Sequence, residues 1–329
     1  MAKLEQITNV SRLKALIDAQ SSGLSRQINV DEMMAALADR VKGQAHVTED
    51  VSRFIKLQWA KEKRKKPIAN LLFVGPPGTG KTELAKAMAE YLYKDEKAMI
   101  RFDCSELGDS TARSRLVGAP GIYKNAEQGG QLTRPMMTNP KRLILFDEIE
   151  KADQTLFDLF LQMMGEARLT EQLHGDTVDF TQAIIVLTSN LEAKAMSRLQ
   201  AEISDPMELL NAVKTQLVAT GRFRPEIAGR IDRVYVFKDL DDYTKADIAQ
   251  QKMQHLGREY GIEVVYIDEN VIFKAVLAAK KAEKFGVRAM EDAINTMLAE
   301  HFLTAKESGC KRIRLDMDED GEIAVTEVE

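Results

Sequence analysis

Five short runs of mainly apolar residues punctuate the first 240 positions. They are Leu71-Leu72-Phe73-Val74, residues 98–103, Leu143-Ile144-Leu145-Phe146, Ile184-Ile185-Val186-Leu187 and Val234-Tyr235-Val236-Phe237. They run continuously instead of alternating with polar residues, as strands covered on both faces do. Between them, apolar positions recur at helical spacing over 83–93, 154–166 (Leu156, Phe157, Phe160, Leu161, Met164) and 206–219 (Leu209, Leu210, Val213, Leu217). Strand alternating with helix predicts a parallel α/β sheet. The Met and Phe residues of 154–166 read as core.

Upstream, residues 1–30 read as a short amphipathic helix and a linker. Ile7, Val10, Leu13, Leu16 and Ile17 fall at helical spacing, Asn9 can cap the start, and Ser21-Ser22-Gly23 marks the stop. Asp31 is expected to cap a helix over 32–41, with Met34, Leu37 and Val41 inward. A further helix, about 46–63, carries Val47, Val51, Phe54, Ile55 and Trp59. The basic run from Lys61 to Lys66 reads as a solvated helix end, its charges complementing the dipole ahead of Pro67. The polar stretch Lys238 to Thr244 marks a boundary. Beyond it the pattern predicts helices over 244–258, 269–282 and 287–305, a strand from Ile262 to Tyr266, and two alternating strands, Arg312 to Met317 and Glu322 to Val328, with a tight turn at Asp320-Gly321. The predicted parts are an N-terminal helix and linker (1–30), a large α/β domain (31–240) and a small α+β domain (241–329).

Composition narrows the class. A chain of 329 residues exceeds most single cores, and 44% hydrophobic with 29% charged residues is ordinary for a globular protein. The net charge of −5 argues against a nucleic-acid partner along the whole surface. Two cysteines, Cys104 and Cys310, imply no disulfide framework and a reducing compartment. The four histidines lack metal-ligand spacing. No apolar run approaches a membrane span and the start has no signal-peptide core, so a cytoplasmic location without membrane association is expected.

The chemistry begins where the first apolar run ends. Gly75-Pro76-Pro77-Gly78-Thr79-Gly80-Lys81-Thr82 sits between a strand and a helix, the context a phosphate-binding loop requires. Gly75, Gly78 and Gly80 let successive N–H groups point inward at phosphate oxygens. The following helix adds the positive end of its dipole. Lys81 can reach the β- and γ-phosphates, and the Thr82 hydroxyl can ligate Mg²⁺. Asp147-Glu148, ending the third run, fits the partner signature: Asp147 to hold Mg²⁺ and Glu148 to polarise the attacking water. Asn190, ending the fourth, is placed to hold that water. ATP and Mg²⁺ are the cofactors this predicts. Arg230 and Arg288 cannot be assigned from spacing.

Several longer motifs go further: RVKGQ (40–44), GPPGTGKTELAKAMAE (75–90), SRLVGAPG (114–121), GGQLT (129–133), LFDEIEKA (145–152), RLTEQLHGDTVDF (168–180), TSNL (188–191), RFRPEIAGRID (222–232) and FGVRAMEDAI (285–294). On these the chain resembles the Clp/ClpB-type unfoldases of the AAA+ superfamily, from about Arg40 to Glu329. It looks most like the second ATPase ring of the ClpB type and, in some motifs, the single ring of the ClpX type. The resemblance implies an AAA+ sheet domain with a C-terminal lid, ATP hydrolysis, and a homo-oligomeric, hexameric ring acting on polypeptide. It makes Asn190 the first sensor, Arg230 the arginine finger reaching the next subunit's nucleotide, and Arg288 the second sensor. It puts Val41 against the adenine, although Lys42 stands where the family has Ile. It aligns Tyr123 with the aromatic residue that faces the central channel, within an altered loop, Gly121-Ile122-Tyr123-Lys124-Asn125. A ring able to grip polypeptide through apolar contact suits that role.

Two features are missing relative to that clade. No Ile-Gly-Phe or Ile-Gly-Leu tripeptide lies between Asn190 and Arg222, so no ring protease is expected as partner. No counterpart of the Clp N-terminal domain, middle coiled coil or second ring is visible. Substrate delivery is then expected through residues 1–30, an adaptor or the channel. Two other functions fit the motifs: a non-threading switch for a secretion, pilus or mobile-element machine, and a nucleic-acid remodeller or loader.

Overall fold

The computed structural model describes residues 27–120, 129–281 and 286–328. The predicted helix within 1–30 and the loop around Tyr123 lie outside them. The chain divides into two compact units. The first runs to Gly75 and resumes over Lys81–Phe237; the second is Pro76–Gly80 with the chain from Lys238 onward.

The first unit opens with α1 (Val30–Arg40) and α2 (Ala45–Trp59). Then come β1 (Ala69–Val74), α3 (Lys81–Tyr93), β2 (Met99–Asp103), α4 (Ala112–Val117), α5 (Thr133–Thr138) and β3 (Leu143–Asp147). After them follow α6 (Phe157–Glu166), the strands β4 (Arg168–Thr170) and β5 (Thr177–Asp179), β6 (Ile184–Ser189), α7 (Ala193–Glu202), α8 (Pro206–Ala219), α9 (Pro225–Ala228) and β7 (Arg233–Val236). β2, β3, β6, β1 and β7 form, in that order, one wholly parallel sheet. The five expected strands are these five; the β4–β5 hairpin was not expected, its strands being only three residues each.

The continuous apolar runs have a direct cause: the sheet is packed on both sides. Leu72, Val74, Ile144, Phe146, Ile185 and Leu187 point into one core with α6 and α8. Ala69, Leu71, Phe73, Leu143, Leu145, Ile184 and Val186 point into a second, with α1, α2 and α3. In the first, Phe146 meets Phe160 edge-on at 4.8 Å and stacks on Phe102 at 5.3 Å, so the aromatic residues of 154–166 are core, as expected.

Three details differ from the sequence reading. Asn29, not Asp31, caps α1, its side chain accepting from the Asp31 and Glu32 N–H groups. The inward face is Met33, Leu37 and Val41, spaced by four, so Met34 stands to one side. α2 stops at Trp59 because Arg64 turns back and donates to the Gln58 and Trp59 carbonyls, satisfying the helix end.

The second unit holds α10 (Asp242–Glu259), β8 (Glu263–Ile267), α11 (Glu269–Lys281), α12 (Gly286–Glu307), β9 (Arg312–Met317) and β10 (Ile323–Glu327). Its sheet runs β10-β9-β8. Met290, Ile294, Leu298 and Phe302, each four residues apart on α12, line its core with Met253, Val271, Ile313 and Leu315.

Candidate nucleotide site

β1 is flanked by β6 over its length and by β7 from Leu71 to Val74, and is buried at all six positions. It delivers the Gly-rich loop at its carboxyl end, where open parallel sheets bind ligands. Gly75 has φ +144°, and a Cβ there would stand 2.5 Å from the Phe237 carbonyl oxygen. No other residue fits. Gly78 and Gly80 also take positive φ, 76° and 97°. α3 then starts at Lys81, whose side chain is buried and donates from Nζ to the Gly75 carbonyl at 2.8 Å. Lys81 thus turns back to the residue that follows β1, the direction a phosphate-reaching lysine takes.

Sheet order brings the acids alongside. β3 and β6 are neighbours, and β6 adjoins β1, so the ends of all three strands lie side by side. Asp147 is 8% exposed. Its Oδ2 accepts from Thr82 Oγ1 at 3.2 Å and from Arg101 Nη2 at 2.8 Å, and its Oδ1 accepts from Thr188 Oγ1. Thr188 Oγ1 in turn accepts from the Glu148 N–H at 3.0 Å. One hydroxyl therefore holds both acids.

Glu148 occupies the left-handed region, φ 54° and ψ 54°. For a residue with a Cβ that conformation costs roughly 1–3 kcal/mol, and such strain collects at functional sites. It turns the Glu148 carboxylate toward Asn190, whose Nδ2 donates to Glu148 Oε1 at 2.9 Å. The other carboxylate oxygen pairs with Lys151 Nζ, and that contact raises the Lys151 pKa. Asn190 is fixed by its backbone N–H, which donates to Glu150 Oε1 at 3.0 Å.

These residues fit a nucleoside triphosphate with a hard divalent cation. Thr82 Oγ1 and the Asp147 carboxylate are adjacent oxygen donors of the kind Mg²⁺ prefers. Asn190 Oδ1 is a buried acceptor with no partner among the described residues, beside the Glu148 carboxylate. A water donating to both would satisfy it.

Of the residues singled out in the sequence, Gly75, Lys81, Thr82, Asp147, Glu148 and Asn190 come together here, with Pro76, Pro77, Gly78, Thr79 and Gly80 forming the turn between Gly75 and Lys81. Val41 is buried at the end of α1. Arg230 is exposed, just beyond α9, and its guanidinium lies over Gly165. It does not join the cluster. Arg288 is exposed near the start of α12, in the second unit. Tyr123 lies outside the described residues. Sequence reasoning missed Arg101, Thr188 and Lys151. Arg101 left one signal, a lone cation within the run MIRFD. Thr188 left only its place in the motif TSNL, and a hydroxyl ending a strand is common.

A parallel sheet with a phosphate loop on an interior strand, a sensor-like Asn on the strand beside it and an Asp-Glu pair on the strand beyond that defines a phosphate-loop ATPase. The model of the AAA domain (Cdc48 subfamily) matches residues 66–234, more than half of the chain, and a Torsin model matches residues 20–102. The chain belongs to the AAA family. It is 35% identical to Chaperone protein ClpB of Streptomyces albus G over 88% of this chain and 34% of that protein. It is 34% identical to the Bacillus subtilis protein named "Negative regulator of genetic competence ClpC/MecB" over 92% of this chain and 36% of that one. It is 38% identical to Chaperone protein ClpB 2 of Nostoc over 70% and 25%. The chain thus spans a quarter to about a third of the length of these relatives. Among the described residues no helix is long and apolar enough to cross a membrane.

Proposed function

We propose that the chain is the subunit of a cytoplasmic ring, hexameric as the resemblance implies, that hydrolyses ATP and uses the energy to pull on polypeptide. The backbone of the 75–80 turn and Lys81 would cradle the phosphates. Thr82 and Asp147 would hold Mg²⁺, which when bound offsets charge on the phosphate oxygens. Glu148 takes the proton of the attacking water, and Asn190 orients that water through its unpaired Oδ1. The observation that carries this reading is the Thr188 clamp, which fixes Asp147 and Glu148 together beside Thr82.

A second observation supports the ring. The Arg230 carbonyl is bonded to Asn70, five residues before Gly75 on β1, and five strand residues span about 17 Å. An arginine anchored there is out of reach of its own phosphate loop and free to serve a neighbour's. Arg288 would act as the second sensor, Val41 would pack the adenine, and Tyr123 would grip the polypeptide. Residues 1–30 would engage an adaptor.

Two measurements test the reading. Glu148→Gln should lower turnover roughly 10²–10⁴-fold while nucleotide still binds. ATPase activity per chain should rise with protein concentration as rings assemble. Equal activity per chain in dilute monomer and in concentrated protein would refute the shared site.

A further inference from the structure

The six residues of β1, Ala-Asn-Leu-Leu-Phe-Val, contain one polar side chain, and it is 1% exposed. Burying an amide in the middle of a parallel sheet opposes stability unless its groups are bonded. In Asn70 only the donor end is. Nδ2 donates to the Met164 carbonyl at 3.0 Å and the Arg230 carbonyl at 3.1 Å, while Oδ1 has no partner among the described residues. The side chain therefore serves as a two-pronged donor.

Both acceptors belong to the setting of one guanidinium. Met164 lies in the last turn of α6, where helix carbonyls lack helical partners, and the next residue is Gly165. A Cβ on Gly165 would stand 2.8 Å from Arg230 Cζ, so the arginine rests on that bare backbone. Asn70 thus ties the floor under the guanidinium to the backbone that carries it. The backbone of the same residue completes the attachment. Its N–H donates to Asp232 Oδ2 at 2.8 Å, and its carbonyl accepts the Asp232 N–H at 2.8 Å. Lys214 Nζ adds a bond to the Ile231 carbonyl at 2.8 Å. Residues 230–232 are held at every step to β1 or α8.

We infer that Asn70 is a positioning residue for Arg230, setting the reach of that arginine toward the nucleotide of a neighbouring copy. The inference rests on the reading of Arg230 as a trans-acting group. Asn70 touches no reacting atom. It acts on the site of another chain, from the end of β1 opposite its own phosphate loop.

Because the effect is in trans, subunit mixing tests it in the full-length protein. Asn70→Leu fills the space and removes both donors. The variant should bind a fluorescent ATP analogue with wild-type Kd and show kcat lowered about tenfold or more, because a misplaced arginine finger forfeits part of its large contribution. Asn70→Ser keeps one shorter donor and should fall between; it also serves if the Leu variant fails to fold. The decisive measurement mixes Asn70→Leu with Glu148→Gln, each weak alone. In randomly mixed 1:1 rings roughly a quarter of the interfaces pair an intact Glu148 with a well-held Arg230, and activity should recover to about that fraction of wild type. Arg230→Ala mixed with Glu148→Gln is the control. If the control recovers and the Asn70 mixture does not, Asn70 acts on its own site or on folding alone and the inference is overturned. Wild-type kcat in Asn70→Leu would overturn it equally. If the control itself fails to recover, the trans role of Arg230 is wrong and the inference falls with it.

Discussion

Thr188→Val keeps the shape of the side chain and removes one oxygen. That oxygen donates to Asp147 Oδ1 and accepts the Glu148 N–H at 3.0 Å. Losing a hydrogen bond to a carboxylate and stranding an N–H each cost about 1–3 kcal/mol. Asp147 keeps Arg101 and Thr82, so the low end applies to it, and about 2–3 kcal/mol in all is expected. In a unit of this size that lowers Tm by roughly 5–10 °C. The catalytic consequence is larger. Glu148 is strained at φ 54°, and the Thr188 bond is part of what holds it there. Freed, it relaxes out of line with Asn190, and a displacement near 1 Å costs about 100-fold in rate. The expected result is a kcat about 100-fold down with nucleotide affinity little changed, whereas Thr188→Ser, which keeps the oxygen, stays within about threefold of wild type. Phosphate release, equilibrium nucleotide binding and thermal melts measure all three quantities. A Val variant that melts lower yet turns over at the wild-type rate would refute the clamp, leaving Thr188 a role in stability alone.

Two further outcomes follow from the same geometry. Gly75→Ala meets the Phe237 carbonyl at 2.5 Å in a φ +144° backbone and should cost about 3 kcal/mol or more, seen as a lower urea midpoint; an unchanged midpoint would mean the loop can move aside. Cys104 is buried, and burial together with the negative charges of Asp103 and Asp147 pushes its thiol pKa up. Iodoacetamide at pH 8 should therefore label it only as fast as the protein unfolds, by mass spectrometry, and equal labelling of native and unfolded protein would contradict this.

β1, β3 and β6 were legible because two-sided burial gives each a run of four apolar residues, 71–74, 143–146 and 184–187, and that is a property of each run alone. β4 and β5 were not, because three residues with one buried side chain each carry no period. The Met33/Met34 choice was not either: both fit helical spacing to Leu37, and only packing against α2 and α3 selects Met33. At the site, Lys81, Thr82, Asp147 and Glu148 were readable because their chemistry requires those residue types in that order. Thr188 and Asn70 were not, since each works through bonds to residues 40 or more positions away. What reveals Asn70 is a contradiction, an amide where the pattern demands an apolar residue.

β1 explains why the polar groups stand where they do. An interior strand such as β1 has a neighbour on each side and a core on each face, so its ends are firmly held. One end carries Gly75, bonded through its N–H to Ser189 of β6 at 3.3 Å, next to the strand that supplies the acids. The other end carries Asn70 and, through it, Arg230. In a ring whose sites are shared, the same rigid segment would then set the phosphate loop of one site and the arginine of the next. Because a strand packed on all sides resists stretching, a shift of the loop cannot be absorbed within β1 and must displace the arginine anchor as well. On the inference that Asn70 positions Arg230, a buried amide belongs in this interior strand and not in an edge strand such as β2, where a shift could be taken up by solvent.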